Sequence, residues 1–220
     1  MLRKIKNIIN KLFISNPAIE EGPFVGHPKD WPKTQKDYEE FWASKEAMVS
    51  YFEPSRIAFY KEVMNFISKK TGKVLDIGCG DGYFLTQIAK RDKHFGNNFT
   101  GIDYASSGFK KAEKLLPKAR FIQADASQLP FNNNYFNLII IMETFEHLEN
   151  WDMSLKEAMR TLKKKGKLFI TIPDGEKDSW VGHTNFWSER AFAKIIAPYG
   201  KTSVVRLDED RTLLGIIIKK

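Results

Sequence analysis

Short apolar runs alternate with amphipathic segments over most of the chain. Runs of strand length occur at residues 74–77, 99–102, 120–124, 135–142 and 168–172. Segments with apolar residues at helical spacing lie between several of them, which predicts parallel strands joined by crossover helices. The run at 135–142 is the most apolar and indicates a central strand that is buried on both faces.

The C-terminal pattern predicts two further strands that pair with each other. Residues 203–207 and 212–218 are rich in apolar side chains and are separated by three consecutive acids, which favours an antiparallel hairpin at the sheet edge. The sequence thus predicts an α/β fold of three layers with a seven-stranded, mostly parallel sheet.

Serine residues mark the start of two predicted helices. Ser188 is a suitable N-cap for a helix over residues 189–197. In the same way, Ser106 or Ser107 would cap a helix over residues 105–116.

The first 14 residues have a basic amphipathic pattern. They contain four basic residues and no acid, with apolar residues at helical spacing. Three interpretations stay open: contact with an anionic membrane surface, docking on the protein's own domain, and pairing with a second subunit in an oligomer. A mitochondrial presequence is less well supported, because the segment has few Arg and Ser. Lysines interrupt the apolar positions, so we expect neither a secretory signal nor a membrane-spanning helix.

The next two segments differ in composition. Residues 17–32 contain six Pro or Gly, which predicts an irregular linker. Residues 36–52 are dense in aromatic side chains and begin with acids, which favours a helix. We therefore divide the chain into an N-terminal part, residues 1–52, and a main domain, residues 53–220.

Composition and charge limit the kind of protein. A length of 220 residues, 42% hydrophobic and 13% aromatic, indicates one folded domain. The single cysteine, Cys79, excludes an internal disulfide and fits a cytoplasmic location. The formal net charge is +8, but the lysines at 163–165 followed by Gly166 suit the C-terminus of a helix over residues 151–162. A nucleic-acid surface is therefore the weaker explanation of the charge.

A glycine-rich loop follows the first predicted strand of the main domain. Gly78, Gly80 and Gly82 alternate with other residues, so the backbone can turn tightly and approach a ligand without a Cβ in the way. A helical pattern begins just after the loop, and its unpaired N–H groups point back at it. This arrangement is typical of a small-ligand site on an α/β sheet.

Acids end three successive predicted strands. Asp76 lies within the first, where a carboxylate suits a ligand with a cationic amino group better than a pyrophosphate. Asp103 closes the second and can accept hydrogen bonds from both hydroxyls of a ribose. Asp125 closes the third and can reach an adenine amino group.

These motifs resemble those of the class I S-adenosylmethionine-dependent methyltransferases, which have a Rossmann-like fold. The sequence V-L-D-I-G-C-G-D-G is similar to the first motif of that family, and G-I-D and A-D-A-S-Q-L-P-F to the two that follow. The resemblance implies S-adenosylmethionine over the three glycines, with Asp76 at its methionine end, Asp103 at the ribose, and Asp125 with Ala126 at the adenine. Further cofactor-binding candidates are Cys79, Tyr104 and Met142.

The residues after the most apolar strand are the predicted catalytic ones. If a helical turn starts there, Glu143, Glu146 and His147 share one face. The pattern E-x-x-E-H is similar to the ubiquinone-biosynthesis O-methyltransferases, in which it is implied to hold Mg²⁺. A general base is the other interpretation, with His147 and His183 as rivals and Glu143 as a further catalytic candidate.

Substrate contacts are predicted on two segments. The aromatic-rich loop at residues 180–187 should lie at the carboxyl edge of the sheet. In the resembled family, the segment before the main domain commonly covers the cofactor and the substrate. The candidate residues are Trp31, Tyr38, Trp42, Asn185 and Trp187.

The sequence therefore predicts methyl transfer from S-adenosylmethionine to a small molecule, most readily at oxygen. The expected acceptors are a quinone precursor, a sugar or a lipid-linked metabolite. Two alternatives remain: an RNA or protein methyltransferase that uses the basic surface, and a non-catalytic S-adenosylmethionine-binding subunit. Nucleic acid is disfavoured, since no N-P-P-[YF] run follows the fourth strand and no cysteine lies outside the glycine loop.

Overall fold

The computed structural model describes residues 24–25, 34–43, 54–68, 71–91, 98–178, 183–207 and 211–220. The amphipathic segment at residues 1–14 and the substrate candidate Trp31 lie outside these residues. Within them, no helix is long and apolar enough to cross a membrane.

The elements follow the predicted alternation of strands and helices. The strands are β1 (Phe24–Val25), β2 (Val74–Ile77), β3 (Phe99–Asp103), β4 (Arg120–Gln123), β5 (Phe136–Met142), β6 (Leu162–Pro173), β7 (Asn185–Phe186), β8 (Gly200–Leu207) and β9 (Thr212–Lys219). The α-helices are α1 (Gln35–Ala43), α2 (Pro54–Met64), α3 (Tyr83–Arg91), α4 (Phe109–Leu115), α5 (Trp151–Thr161) and α6 (Glu189–Ile196). Short 3₁₀ helices lie at Phe145–His147 and Ala197–Tyr199.

The seven-stranded sheet has the order β4-β3-β2-β5-β6-β9-β8. Strands β2 to β6 pair in parallel, whereas β9 runs antiparallel to both β6 and β8. The expected C-terminal hairpin and the predicted fold class, a Rossmann-like three-layer α/β sandwich, are confirmed.

The sheet is buried on both faces, which explains its apolar sequence. One hydrophobic cluster contains Leu75, Ile139 and Phe192, and a second contains Val74, Ile140 and Phe84. Neighbouring residues of one strand therefore serve opposite faces. Six of the seven residues of β5 are buried, as expected for a central strand.

The register brings the carboxyl ends of the parallel strands to one edge. Ile77 of β2 is opposite Ile102 of β3 and Ile141 of β5, and Asp103 is opposite Gln123 of β4. The loops that leave β2, β3, β4, β5 and β6 therefore meet at this edge, where ligands bind in open α/β sheets.

Two local predictions are wrong. The lysines at 163–165 do not end a helix: α5 ends at Thr161, and the lysines already belong to β6, where Lys165 itself has φ +62°. The reason is that Leu162 is fully buried and pairs with Phe136, so the strand begins at once.

Ser106 and Ser107 do not cap α4. That helix starts only at Phe109, with Gly108 as its N-cap and no side-chain cap bond. By contrast, the oxygen of Ser188 accepts a hydrogen bond from Ala191 N–H, which confirms the predicted cap of α6.

Candidate functional site

The glycine loop turns sharply at the end of β2. Gly78, Gly80 and Gly82 have φ values of +75°, +49° and +74°, a region that L side chains rarely adopt. The N–H groups of Gly78 and Cys79 both donate to the carbonyl oxygen of Ile102 at 2.9 Å. The loop is therefore tied to the adjacent strand β3 and opens onto the carboxyl edge.

Asp103 joins this loop to the end of β3. Its carboxylate accepts hydrogen bonds from the N–H of Gly80 at 2.8 Å and of Ala105 at 3.0 Å. Burial raises the pKa of Asp103 to about 6, although these hydrogen bonds act in the opposite direction. The carboxylate thus lies where a ribose over the loop would need an acceptor.

Asp76 lies one strand away and is also buried. Burial, and then the charge of Asp103, raise its pKa well above the usual value of an aspartate. A cationic group bound beside the two acids would favour their charged forms and lower both pKa values. A ligand with an amino group and a positive charge suits such a site.

Helix α1 is held over this edge by Glu39. The Glu39 carboxylate accepts hydrogen bonds from the N–H groups of Ser106 and Ser107, both at 2.7 Å, and from the Gln123 amide at 2.7 Å. Burial alone would raise the pKa of Glu39, but the hydrogen bonds from Ser106 and Ser107 lower it. Gln35 adds a bond to the carbonyl of Tyr104.

Two aromatic side chains of α1 face the cofactor candidates. The indole of Trp42 lies against Gly80, since a Cβ built on that glycine would be 2.5 Å from the ring. The ring of Tyr38 meets the exposed ring of Tyr104 edge-on, with centroids 6.2 Å apart. The predicted position of both α1 residues beside the site is therefore seen in the structure, whereas their role toward a substrate stays a prediction.

The other cofactor candidates lie around the same edge. Asp125 is exposed and caps its own turn by accepting bonds from the N–H and hydroxyl of Ser127. Ala126, Met142 and Cys79 are buried, and burial raises the pKa of the Cys79 thiol well above its ordinary value. A thiol that ionises less readily than usual is a poor nucleophile, which favours a packing role for Cys79.

The chain leaves β5 through a strained residue. Glu143 has φ +49°, and its N–H donates to the hydroxyl of Thr171 at 3.0 Å. The side chain of Thr144 then packs on Gly78, so this segment adjoins the glycine loop. The 3₁₀ turn starts only at Phe145, and the expectation that a helical turn begins at Glu143 is therefore wrong.

Two histidines and a glutamate meet next to this turn. In the described part of the chain, ligand atoms of Glu146, His147 and His183 all lie within 4.8 Å of one another. Nε2 of His147 is 4.0 Å from Oε1 of Glu146, and Nε2 of His183 is 3.9 Å from the same oxygen. We call these three residues the histidine cluster. It unites the two rival bases, and Glu143 is not part of it.

Asn185 and Thr184 bring His183 to the 3₁₀ turn. The Asn185 amide donates to the carbonyl oxygens of Glu146 and Leu148, and both the N–H and the hydroxyl of Thr184 donate to the carbonyl of Glu146. Asn185 is buried and its amide is engaged by backbone, so the structure gives it a bracing role and not the expected substrate contact.

Asp178 is a site residue that the sequence reasoning missed. Its Oδ2 is 2.5 Å from Nδ1 of His183, and both side chains are 10% exposed. The turn that carries Asp178 is anchored by the buried Asp174, which pairs with Arg206 at 2.5 Å. The only signal in the sequence was an acid five positions before a histidine, which is common by chance.

Trp187 is also buried. It is 1% exposed and packs against Phe145, with centroids 5.2 Å apart, and against Trp151. The prediction that it contacts substrate is corrected to a core role, because its ring fills the space under the 3₁₀ turn.

Known proteins are similar to this chain in sequence and in fold. A family model described as a methyltransferase domain matches residues 75–170. The demethylmenaquinone methyltransferase of Thermotoga maritima is 35% identical over 98 residues, which cover 44% of this chain and 42% of that protein. The ubiquinone biosynthesis O-methyltransferase of Pelagibacter ubique is 29% identical over 167 residues, 70% of this chain and 68% of that protein. The solved structure of the N-methyltransferase NodS of Bradyrhizobium japonicum aligns with a TM-score of 0.68 at 17% identity, over 85% of this chain and 99% of that one.

The sheet order, the glycine loop and the strand-end acids define a cofactor-binding α/β domain of the methyltransferase type. With the family match over residues 75–170, they make this part of the chain similar to the class I S-adenosylmethionine-dependent methyltransferases. The chain spans about half the length or less of the first curated relatives that it matches. The similarity to these relatives therefore does not establish the activity or the methyl acceptor of this chain.

S-adenosylmethionine, the cofactor that the superfamily implies, fits the residues of this edge. Asp103 presents a buried carboxylate beside Gly80, and Asp76 supplies a second acid for a cationic ligand. The indole of Trp42 occupies the Cβ-free face of Gly80, so a cofactor over this glycine would have to displace the ring. Mg²⁺ held by Glu143, Glu146 and His147 fits less well. Glu143 lies outside the histidine cluster, and two of the three converging ligands are imidazoles, whereas Mg²⁺ takes oxygen ligands.

Proposed function

We propose that the domain transfers the methyl group of S-adenosylmethionine to an oxygen atom of a small molecule. The observation that carries this proposal is the position of the histidine cluster at the same edge of the sheet as the glycine loop. Thr144 packs on Gly78, and His147 follows three residues later. A hydroxyl acceptor held between the glycine loop and the histidine cluster would face the methyl donor on one side and proton acceptors on the other.

The chemistry needs little more than these groups. A sulfonium methyl group is already activated, so the protein has to align the acceptor with the methyl–sulfur bond and take up a proton. A hydroxyl attacks well only after it loses its proton, whereas a neutral amine attacks unaided. Two imidazoles beside one acceptor therefore favour oxygen over nitrogen as the methylated atom.

His183 is the better placed of the two bases. With Nδ1 hydrogen-bonded to Asp178 at 2.5 Å, the other ring nitrogen, Nε2, is on the side of Glu146 and the cluster. The Asp178 carboxylate would stabilise the imidazolium that forms when Nε2 takes a proton. His147, 4.9 Å from His183 between ring centroids, would orient the acceptor.

The acceptor class that we propose is a quinone precursor, a sugar or a lipid-linked metabolite. The names of the two curated relatives refer to demethylmenaquinone and to ubiquinone biosynthesis. The basic amphipathic pattern of residues 1–14 supports an acceptor at a membrane surface from a cytoplasmic protein. Deleting these residues should abolish binding to anionic liposomes, and unchanged binding would contradict that part of the proposal.

The experiment is the transfer of labelled methyl from S-adenosylmethionine in a host extract. The reaction products are separated into lipid, small polar, RNA and protein fractions. Label in the lipid or small polar fraction supports the proposal. Label confined to RNA or protein would instead mean that the basic surface selects a macromolecule.

A further inference from the structure

The histidine cluster is built like a metal site. Glu146 and His147 come from the 3₁₀ turn after β5, and His183 comes from the segment before β7. Hydrogen bonds from Thr184 and Asn185 to the carbonyl of Glu146 hold the two segments together. These hydrogen bonds to the backbone hold the three side chains close together.

The cluster is also shielded from solvent. The side chain of Glu146 is 1% exposed, that of His147 17% and that of His183 10%. A carboxylate and two imidazoles are seldom placed together at such burial unless a proton or a cation joins them. Nε2 of His147 and Nε2 of His183 lie 4.0 Å and 3.9 Å from the same carboxylate oxygen.

Asp178 supplies the outer support that metal-binding histidines usually have. A ligating imidazole commonly donates its other ring N–H to a carboxylate, which fixes the ring and its tautomer. Oδ2 of Asp178 is 2.5 Å from Nδ1 of His183, so Nε2 is the nitrogen that faces Glu146. Asp178 in turn lies on the turn anchored by Asp174 and Arg206.

We propose that Glu146, His147 and His183 bind a divalent transition-metal ion such as Zn²⁺. Two imidazole nitrogens and one carboxylate oxygen form a common ligand set for zinc and other first-row metals. Magnesium and calcium prefer oxygen ligands, so the set selects against them. The site differs from the one that the E-x-x-E-H pattern implies, because His183 replaces Glu143 and the preferred metal changes with it.

The role of the ion rests on the proposed function, whereas its binding does not. When bound, a divalent ion would lower the pKa of an acceptor hydroxyl that reaches it and so supply the nucleophile at neutral pH. Three protein ligands leave a coordination position for that oxygen. In this arrangement Nε2 of His183 is a ligand and does not itself take the proton; the two histidines hold the ion, the ion ionises the acceptor hydroxyl, and the proton passes to water.

The test is metal binding to the full chain after treatment with a chelator. Titrations with Co²⁺, Zn²⁺ and Mg²⁺ alone are followed by calorimetry, and Co²⁺ also by its visible absorption. We expect one Co²⁺ or Zn²⁺ per chain, an absorption spectrum of low-coordinate cobalt, and no displacement by Mg²⁺. Absence of Co²⁺ and Zn²⁺ binding, or displacement by Mg²⁺, would overturn the proposal.

Variants then distinguish the proposed ligands, which include His183, from the set implied by the sequence pattern, which has Glu143 in its place. His183→Ala should weaken Co²⁺ binding by about 100-fold or more, and Asp178→Asn by about 10- to 100-fold, the usual loss for an outer-shell partner. Glu143→Gln and the exposed control Glu149→Gln should leave the affinity for Co²⁺ unchanged. Loss of binding in Glu143→Gln with retention in His183→Ala would contradict the site. Because His183→Ala could disturb folding, its thermal unfolding is compared with that of Asp178→Asn.

Two further readouts distinguish a failed metal site from a failed function. If S-adenosylmethionine binds and methyl is transferred equally well in the presence and absence of chelator, the proposed role of the ion in ionising the acceptor is wrong and the proposed function stands. If Co²⁺ binds as expected but no methyl is transferred to any small molecule, the metal site stands and the proposed function is wrong.

Discussion

The carboxylate of Asp103 accepts a hydrogen bond of 2.8 Å from the N–H of Gly80. The acid at the end of β3 is therefore joined to the middle glycine of the loop after β2. Because Gly80 has φ +49°, a side chain there would both strain the backbone and strike Trp42. The loop, the acid and the covering helix thus form one unit, which several substitutions can probe.

The first prediction concerns Asp103 itself. Asp103→Ala removes the acceptor for the ribose and also leaves the N–H groups of Gly80 and Ala105 without their carboxylate. We expect S-adenosylmethionine to bind more weakly by about 1 to 3 kcal/mol, the usual cost of such losses. Calorimetry measures this, with the surface change Asp152→Ala as control. Equal affinities of the two variants would mean that the ribose is held elsewhere.

Cofactor binding should depend on pH through the same residue. The pKa of Asp103 is raised by burial from the ordinary 3.8 to about 6, and the nearby charge of Glu39 acts in the same direction. Since the ionised carboxylate is the better acceptor for ribose hydroxyls, affinity should fall as the pH drops below about 6, approaching about tenfold per pH unit. In Asp103→Ala this dependence should be absent. A wild-type affinity that stays flat between pH 5 and about 7 would contradict the assignment.

The ionised form of Asp103 favours cofactor binding, but in the absence of cofactor it lowers the stability of the fold. Its folded-state pKa is higher than its unfolded-state pKa, so its contribution is fully present below the unfolded value and is lost as the pH rises through about 6. Urea unfolding of wild type and Asp103→Ala at several pH values measures the difference. We expect the variant to gain stability relative to wild type as the pH rises, and a constant difference would refute this.

Glu39 should control how firmly α1 covers the edge. Glu39→Gln loses the charged acceptor for the N–H groups of Ser106 and Ser107, which should cost about 1 kcal/mol of docking free energy in this partly solvated position. Faster amide hydrogen exchange within α1 is the expected result. Glu40→Gln is the matched control, since Glu40 lies on the same helix, is exposed and forms an ion pair with Lys36 at 3.8 Å. If both variants exchange equally fast, Glu39 does not hold the helix.

Trp42 should report cofactor binding. Its indole lies on Gly80, over which the family resemblance implies the cofactor, so a ligand bound there must change the surroundings of this ring. Tryptophan fluorescence should therefore change on addition of S-adenosylmethionine. The change should disappear in Trp42→Phe and persist in Trp151→Phe, whose ring packs against Phe145. A change that survives in Trp42→Phe would place the ligand away from α1.

Much of the framework could be predicted from the sequence, because local patterns set it. Apolar runs predicted the strands of the sheet, and Ser188 predicted the start of α6. Failures occurred where tertiary contacts decide. The buried pairing of Leu162 with Phe136 turned the lysines at 163–165 into strand residues. Likewise, Ser106 and Ser107 meet Glu39 of a distant segment and do not cap α4.

The candidate site could be predicted only in part, because local patterns define the glycine loop whereas tertiary contacts assemble the histidine cluster. The glycine loop and its acids are close together in sequence, and the structure brings them to one edge as expected. The histidine cluster depends on the packing of residues 183–185 against the 3₁₀ turn, which no local pattern reveals. For this reason Asp178 was missed, and Asn185 and Trp187 were assigned to the substrate although one braces the turn and the other fills the core.

The most direct test of the account is methyl transfer by His183→Ala in the extract fraction that wild type labels, with S-adenosylmethionine affinity measured on the same samples. We expect the variant to bind the cofactor as wild type does and to lose about 100-fold or more of its methyl transfer, since a positioned base contributes that much. Transfer at the wild-type rate by a variant that binds the cofactor normally would contradict the account. The histidine cluster would then not be where the acceptor reacts.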